Sequence, residues 1–160
     1  MADQNEETVF STGEQQYGTD YKAHLLEQYK LYVDSAQRIS DRRSDANKFL
    51  LAVNSALVTL AALGGASLEE SIVVILISVT GVLVAASWFG LITSYRNLNT
   101  AKFKVIHELE ERLPAKPFDR EWVIAESGEG MVYVPVTHIE TMIPWVFAGF
   151  YTILGVLAAL

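Results

Sequence analysis

The sequence predicts a mainly α-helical membrane protein with three transmembrane helices. The first two are predicted to continue as a long cytoplasmic helical hairpin that carries a small β-hairpin. Three observations predict this fold class. The chain has three long apolar runs, its twelve Lys and Arg residues lie in two blocks outside those runs, and no Gly or Pro occurs from residue 21 to residue 63. Soluble domains scatter basic residues over their surface, whereas membrane proteins concentrate them on the cytoplasmic side.

The apolar runs cover residues 49–68, 72–95 and 142–160, and none contains Asp, Glu, Lys, Arg or His. About 20 apolar residues in a helix are enough to cross the hydrocarbon core of a bilayer. The first run begins nearly fifty residues into the chain and follows an acidic segment. A secretory signal peptide has its apolar region close to a basic N-terminus, so this run is predicted to be an uncleaved membrane helix.

The basic residues predict the orientation of the helices. Two crossings separate the two blocks, so both blocks lie on the same side of the membrane, which the positive-inside rule identifies as the cytoplasm. We therefore expect a bacterial cytoplasmic (inner) membrane protein with a cytoplasmic N-terminus and an external C-terminus. The two blocks are Lys22, Lys30, Arg38, Arg42, Arg43 and Lys48, then Arg96, Lys102, Lys104, Arg112, Lys116 and Arg120.

The cytoplasmic parts are predicted from composition and periodicity. Residues 1–18 are acidic and polar, which is typical of a disordered tail. Residues 19–48 and 96–113 carry apolar side chains at three- and four-residue spacing, so each is predicted to be a helix continuous with a membrane span. The charged residues of the second helix are expected to lie mostly on its outward face: Lys102, Lys104, Glu108, Glu110 and Glu111. A contact of His107 with Glu110 or Glu111 is also expected within that helix.

Residues 114–140 form the cytoplasmic loop between the second and third spans. Residues 121–125 and 131–136 are rich in β-forming side chains, and the Ser-Gly-Glu-Gly sequence at 127–130 between them supplies turn residues. The pattern predicts a β-hairpin. An isolated two-stranded hairpin is marginally stable in water, so it would need to pack on the helices or on a neighbouring chain.

The sequence contains no motif for catalysis, for a cofactor or for a metal ion. Cysteine is absent, the three histidines match no metal-ligand spacing, and no Gly-rich phosphate loop or nucleophile motif occurs. The spans also lack the ionisable residues that proton-coupled transporters place in the bilayer. We therefore expect a protein that is not an enzyme, takes no cofactor and binds no nucleic acid.

Two sets of polar residues remain as candidates for function. Asn54, Ser55 and Thr59 lie within the first span, where they would either bond to neighbouring helices or line the pore of an oligomer. A basic cluster below the same span is expected to contact anionic lipid head groups, or to form an anionic-ligand site between subunits. This cluster consists of Arg38, Arg42, Arg43 and Lys48.

One stretch of the sequence carries a resemblance. Residues 88–110 include Ser-Tyr-Arg-Asn-Leu-Asn at 94–99, and they are followed by Leu113-Pro114, Pro117-Phe118 and Glu121-Trp122. With residues 29–33 and 38–43, this stretch resembles the RipA-like family of small bacterial octameric membrane proteins. Related-looking helical hairpins occur in membrane effectors of the SLATT type. The resemblance covers roughly residues 21–160.

The resemblance implies an inner-membrane homo-oligomer, an octamer, with a cytoplasmic portion. Tyr95, Arg96, Asn97 and Asn99 match its signature, and with Trp122 they are expected to form a hydrogen-bond network between chains or between helix and hairpin. The predicted role is a non-enzymatic membrane scaffold or sensor ring whose partners are its own copies and membrane lipids. The alternatives are a channel or pore-forming effector, and an accessory subunit that an unidentified membrane enzyme or transporter binds.

Overall fold

The computed structural model describes residues 8–63, 68–127 and 136–160, and its described part is helical. Two helices of 43 residues dominate the chain, each about twice the length that a bilayer crossing needs. The elements are α1 (Glu14–Tyr17), α2 (Tyr21–Leu63), α3 (Leu68–Glu110), α4 (Pro117–Ser127) and α5 (Val136–Ala159).

Three of these helices are long and apolar enough to cross a membrane, which confirms the three predicted spans. They are Tyr21–Leu63, Ser71–Glu110 and Ile139–Ala159, with mean hydropathies of 1.5, 2.5 and 1.8 over their most apolar windows. Those windows are only 11%, 28% and 11% buried inside the chain. Most of the apolar surface of each span therefore faces outward, as expected for helices in contact with lipid or with other subunits.

The chain divides into two compact units. The first contains the N-terminal segment, residues 21–39 of α2, residues 98–110 of α3, and α4. The second contains residues 40–63 of α2, residues 68–97 of α3, and α5. The apolar runs fall in the second unit, which we call the membrane unit, and the first is called the polar unit.

In the polar unit, α2 and α3 pack antiparallel. Lys102 Nζ donates to Ser35 Oγ at 2.7 Å and lies 4.8 Å from the centre of the Tyr32 ring. Nearer the end of α3, Tyr29 of α2 contacts Glu110. A lower residue number on α2 is thus paired with a higher residue number on α3, as antiparallel helices require. Leu25, Ala36, Ile106 and Leu109 form the buried apolar core between the two helices.

In the membrane unit, α5 runs parallel to α2 and antiparallel to α3. Tyr151 Oη donates to the backbone carbonyl of Asn54 at 2.9 Å, and Glu140 pairs with Arg43 at 3.4 Å. Both contacts join residues that are 97 positions apart, so α5 and α2 keep one register between them. The core here consists of Ala61, Val74, Ala85, Trp88, Ile92 and Tyr151.

The predicted β-hairpin is not supported. Residues 121–125, expected as its first strand, lie within α4, and residues 131–135 of the second strand lie outside the described residues. The helix forms because Pro117 is fixed in a helical φ at the first position and Asp119 lies in the first turn. The β-forming side chains Trp122, Val123 and Ile124 are outweighed by this helix start, since β-propensity is a weak and context-dependent preference.

Residues 8–18, the described part of the predicted disordered tail, contact other parts of the chain. Val9 N–H donates to Glu108 Oε2 at 3.0 Å, and the Arg112 guanidinium lies 3.4 Å from the centre of the Phe10 ring. The segment then forms the single-turn helix α1, in which Glu14 pairs with Lys22 at 3.1 Å. These contacts give residues from Thr8 onward a place in the polar unit.

Candidate functional site

The polar unit contains a buried carboxylate at the point where three helices meet. Glu110, at the end of α3, is 0% exposed. Its Oε1 accepts hydrogen bonds from Tyr29 Oη of α2 at 3.0 Å and from Phe118 N–H of α4 at 3.1 Å, and its Oε2 accepts from Asp119 N–H at 3.2 Å. We call this arrangement the Glu110 junction. It joins α2, α3 and α4 through one side chain.

The junction satisfies the start of α4. The first N–H groups of a helix have no partner within the helix, and an unsatisfied buried donor is costly. Pro117 has no N–H, Glu110 accepts from the next two residues, and Arg120 N–H bonds to the Lys116 carbonyl at 3.0 Å. A negative carboxylate also interacts favourably with the positive end of the helix dipole. Glu110 therefore acts as the N-terminal cap of α4 from a different helix.

The same carboxylate contributes to a raised pKa of Tyr29. Burial, the hydrogen bond to Glu110 and the charge of Glu110 raise the pKa of Tyr29 to about 12 from its ordinary 10.0. Each of these effects penalises the tyrosinate, because a phenolate beside a carboxylate is a like-charge pair in a poorly solvated place. Tyr29 lies twenty residues before the first apolar run, outside the membrane span, and acts as a hydrogen-bond donor at neutral pH.

His107 lies one turn before Glu110 on α3. Its Nδ1 is 3.7 Å from Glu110 Oε2, which confirms the expected contact within the helix. That distance is within ion-pair range but too long for a hydrogen bond, and Nδ1 is buried without a hydrogen-bond partner among the described residues. The Phe103 ring lies 6.4 Å from the imidazole and 5.6 Å from the Phe118 ring, so aromatic side chains enclose this side of the junction.

Glu110 is expected on the outward face of α3, and this prediction is wrong. Lys104 and Glu111 are exposed as expected, whereas Lys102 and Glu108 are half-buried and Glu110 is fully buried. Glu110 lies four residues after buried Ile106 and seven after Phe103, which is the spacing of the inward apolar stripe. This periodicity could have identified it, but a carboxyl group was assumed to face water.

The N-terminal segment closes over a small cavity in the polar unit. Phe10, Tyr17 and His24 are among its lining residues, and its volume is about 80 Å³. Tyr17 Oη and His24 Nδ1 are 2.9 Å apart and share a proton in a hydrogen bond. Pockets that hold drug-sized ligands measure about 300–1,000 Å³, so this cavity is small for a cofactor.

The membrane unit uses its polar side chains to join helices. Asn54 is 0% exposed, and its Nδ2 donates to the Leu50 carbonyl of its own helix at 2.8 Å. Its Oδ1 is buried and has no hydrogen-bond partner among the described residues. Trp88 Nε1 donates to Asn47 Oδ1 at 2.9 Å, which links α3 to α2. Asn54 thus lies between helices of one chain, away from the outer surface of the unit.

Ser55 and Thr59, the other two predicted polar residues of the first span, are exposed. Ser55 Oγ donates to the Leu51 carbonyl at 2.8 Å and Thr59 Oγ1 to the Ser55 carbonyl at 2.9 Å. Each hydroxyl donor is therefore satisfied within α2. The two side chains lie one turn apart and are available to a neighbouring subunit, to lipid or to water.

The five residues that are expected to form a hydrogen-bond network are divided between the two units. Tyr95, Arg96 and Asn97 belong to the membrane unit, where Arg96 and Asn97 are exposed. Asn99 and Trp122 belong to the polar unit, where Asn99 Oδ1 is buried without a hydrogen-bond partner among the described residues and Trp122 is exposed. A network between chains at these residues stays a prediction.

Two members of the predicted lipid-contact cluster form ion pairs, and one of them contacts another helix. Arg43 is half-buried and pairs with Glu140 of α5. Arg38 and Arg42 are exposed, and Lys48 forms an exposed pair with Asp45 at 3.3 Å. Arg38 lies in the polar unit and the other three in the membrane unit. Exposed guanidinium groups remain suited to phosphate recognition, which Arg performs through its planar fork of donors.

Comparison with known proteins gives one match. The family model of the Octameric membrane protein family (8xMP) matches residues 26–160, which takes in α3, α4, α5 and nearly all of α2. No curated protein and no solved structure gives a significant match to the chain. The family is one of membrane proteins and agrees with the three apolar helices. This chain belongs to the Octameric membrane protein family.

Proposed function

We propose that the chain is a subunit of a non-enzymatic, octameric membrane scaffold, a ring that holds eight polar units at one face of the bilayer. The observation that carries this proposal is the Glu110 junction. The Glu110 carboxylate is fully buried in the polar unit and accepts three hydrogen bonds from its own chain. A carboxylate in that setting positions helices and meets no substrate.

The surface of the chain supports an assembly. In the polar unit, apolar side chains stand exposed on α4 at Trp122, Val123 and Ile124. In the membrane unit, at most 28% of any span's most apolar window is covered by the chain itself. Membership of an octameric family supplies the copies that could cover part of this surface. An exposed apolar cluster of this kind is typical of an interaction surface.

The basic residues support an orientation for the ring. With both basic blocks in the cytoplasm of a bacterial cell, the polar units and the N-terminus would be cytoplasmic and the C-terminus external. Because the chain has no cysteine, single cysteines at Thr12 and Leu160 can report the side of each terminus. We expect a membrane-impermeant maleimide to label Leu160→Cys in intact spheroplasts and to label Thr12→Cys only after lysis.

The experiment that tests the scaffold is native mass spectrometry of the protein released from nanodiscs, together with assays for turnover. We expect a particle of eight copies that hydrolyses neither lipid nor nucleotide. A monomer, or a complex with an unlike subunit in fixed ratio, would contradict the ring and favour an accessory subunit. Turnover of a lipid or nucleotide that the Glu110→Gln variant abolishes without loss of the octamer would contradict the non-enzymatic role.

A channel is the second candidate, and the exposure of Ser55 and Thr59 within the first span favours it. If α2 lines the axis of the ring, these hydroxyls would lie along a polar path through the bilayer. Asn54 is buried within the chain, so Asn54→Leu is the control variant and Ser55→Leu with Thr59→Leu is the test. Ion flux into liposomes that falls in the test variant alone would support a channel.

A lipid contact at the exposed arginines is a further part of the proposal. Arg38 and Arg42 lie one turn apart on α2, and neither forms an ion pair within the described chain. We expect the Arg38→Gln, Arg42→Gln variant to retain less anionic lipid through purification. Lys48→Gln is the matched control, because the Lys48 ammonium is already paired with Asp45.

A further inference from the structure

The symmetry of the proposed ring limits which surfaces can meet. Copies of a membrane protein inserted in one orientation can be related only by rotation about the membrane normal. Such a ring is closed by heterologous contacts, in which a surface of one copy meets a different surface of the next. The polar unit should therefore carry two unlike surfaces that complement each other. This inference rests on the octameric assembly of the proposed function.

One such surface lies on α4. Arg120, Val123 and Ile124 are spaced by three residues and one, which places them on one side of the helix. Lys116 immediately precedes the helix, four residues before Arg120. All four are exposed, and Ile124 is 57% exposed. Neither basic side chain has an ion-pair partner among the described residues. We call this set the basic α4 face. It combines two positive charges with two apolar side chains.

The second surface lies on α2 in the same unit. Glu27, Leu31 and Asp34 are spaced by four and three residues, and all are exposed. Leu31 is 60% exposed between the two carboxylates. Neither carboxylate forms an ion pair within the described part of the chain. We call this set the acidic α2 face.

We propose that the basic α4 face of one copy docks on the acidic α2 face of the next copy around the ring. The two faces carry opposite charges, and each places an exposed aliphatic side chain beside its charges. The residues at their edges also complement each other, since Lys30 on α2 and Glu121 on α4 have the reverse signs. Complementary charge around an apolar contact fixes register and excludes wrong pairings.

The Glu110 junction prepares α4 for this role. A helix of eleven residues is too short to be stable alone in water. Capping by Glu110 and the contact of the Phe118 and Phe103 rings hold its first turn against α3. The apolar side chains of its second half then remain exposed on a fixed helix. A surface that is ordered before binding loses less entropy when the next copy docks.

Cysteine cross-linking tests the contact directly, because the chain has no cysteine of its own. Leu31→Cys and Ile124→Cys are placed on separate, differently tagged copies that are co-expressed and then oxidised in the membrane. We expect dimers that contain one copy of each tag, in severalfold higher yield than either variant forms with itself. The two single variants are matched controls, because a heterologous contact brings position 31 to position 124 and never to its own equivalent.

Charge exchange gives an independent test. Arg120→Glu and Asp34→Arg should each weaken association by about tenfold or more, because each places like charges in the contact. Both changes in one chain restore opposite charges across every contact, and we expect octamers to return on native mass spectrometry. Octamers that persist in all variants without the mixed cross-link would overturn the docking and leave the scaffold intact. A wild-type protein that is monomeric would overturn both.

Discussion

The polar unit and the membrane unit hold their helices together by different means. In the polar unit the central hydrogen bonds each have one charged partner: the Glu110 carboxylate accepts from three neutral donors, and the Lys102 ammonium donates to Ser35. In the membrane unit the contacts at the level of the apolar runs are neutral, from Trp88 to Asn47 and from Tyr151 to the Asn54 carbonyl. The ion pairs described in that unit, Arg43 with Glu140 and Lys48 with Asp45, involve residues outside the runs.

The difference follows from the solvent on each side. A charged side chain at the centre of a bilayer is costly, so membrane helices associate through neutral hydrogen bonds and close packing of small residues. Gly81 shows that packing, because the Tyr151 ring occupies the place where a side chain would begin. The polar unit buries one carboxylate, which it can do because that group is hydrogen-bonded to three donors. Substitutions should therefore destabilise the polar unit by removing hydrogen bonds and the membrane unit by overpacking its helices.

The largest effect is expected from Glu110→Ala. The change leaves Tyr29 Oη and the N–H groups of Phe118 and Asp119 without their acceptor, at about 1–3 kcal/mol for each donor that water does not reach. We expect a loss of about 3 kcal/mol or more in the free energy of unfolding. Hydrogen exchange of the peptide that covers residues 117–127 should rise by at least about a hundredfold if α4 detaches.

Glu110→Gln is the matched control for that prediction. Glutamine keeps the volume and one acceptor oxygen but replaces the other oxygen with an NH₂ group, which cannot accept from Asp119 N–H. We expect an intermediate loss of protection in α4. Equal protection of α4 in wild type and Glu110→Ala would show that the junction contributes little to holding the helix.

In the membrane unit, Gly81→Ala is expected to have the largest effect. An added Cβ would lie 2.5 Å from the Tyr151 ring, and the ring is already fixed by its bond to Asn54. Overpacking of this kind costs about 1–3 kcal/mol. Gly90→Ala on the same helix is the control, since nothing lies within 4 Å of a Cβ there. Unfolding in mixed micelles should separate the two variants, and equal stabilities would contradict close packing of α3 on α5.

Two tyrosines, one in each unit, allow the hydrogen bonds of the two units to be compared by removing a single hydroxyl group. Tyr29 donates to a carboxylate and Tyr151 to a backbone carbonyl, and each loses only its hydroxyl when changed to phenylalanine. Hydrogen bonds to charged groups contribute about 1.5–3 kcal/mol. Those between membrane helices average about 0.6 kcal/mol. We expect Tyr29→Phe to destabilise the chain more than Tyr151→Phe, and the reverse order would contradict the distinction between the units.

The sequence predicts the membrane unit better than the polar unit. Length and apolarity are enough to identify a span, because a bilayer forces each crossing to form a helix and satisfy its own backbone. The structure accordingly has three helices that are long and apolar enough to cross a membrane. The Asn54 side chain is buried inside the chain, where its amide donates to the Leu50 carbonyl of its own helix.

The polar unit could not be predicted as well because its structure depends on one contact between distant residues. Residues 121–125 have a β-forming composition, and the helix that they form starts where Glu110 caps it from another element. A local pattern contains no information about a cap that another helix supplies. The periodicity of α3 places Glu110 on its inward stripe, but the three donors come from α2 and α4, so the hydrogen bonds of Glu110 could not be predicted from α3 alone.

The smallest effect expected is a change in the alkaline titration of the polar unit. Because the folded-state pKa of Tyr29 is raised to about 12 from 10.0, the protonated tyrosine is favoured by the fold. Its contribution to stability is fully present below pH 10 and is lost as the pH rises from 10 towards 12. The tyrosinate absorbance of wild type minus that of Tyr29→Phe should therefore show a single transition near pH 12.

The position of that transition distinguishes two states of the junction. With Glu110 in place, burial and the adjacent charge both delay ionisation of Tyr29. Glu110→Gln removes the charge but keeps the burial and an acceptor oxygen, so the transition should move part of the way from pH 12 towards pH 10. A difference spectrum centred at pH 10 in the wild-type chain would mean that Tyr29 is solvated and apart from Glu110. The hydrogen bond to a charged group that distinguishes the polar unit from the membrane unit would then be absent in solution.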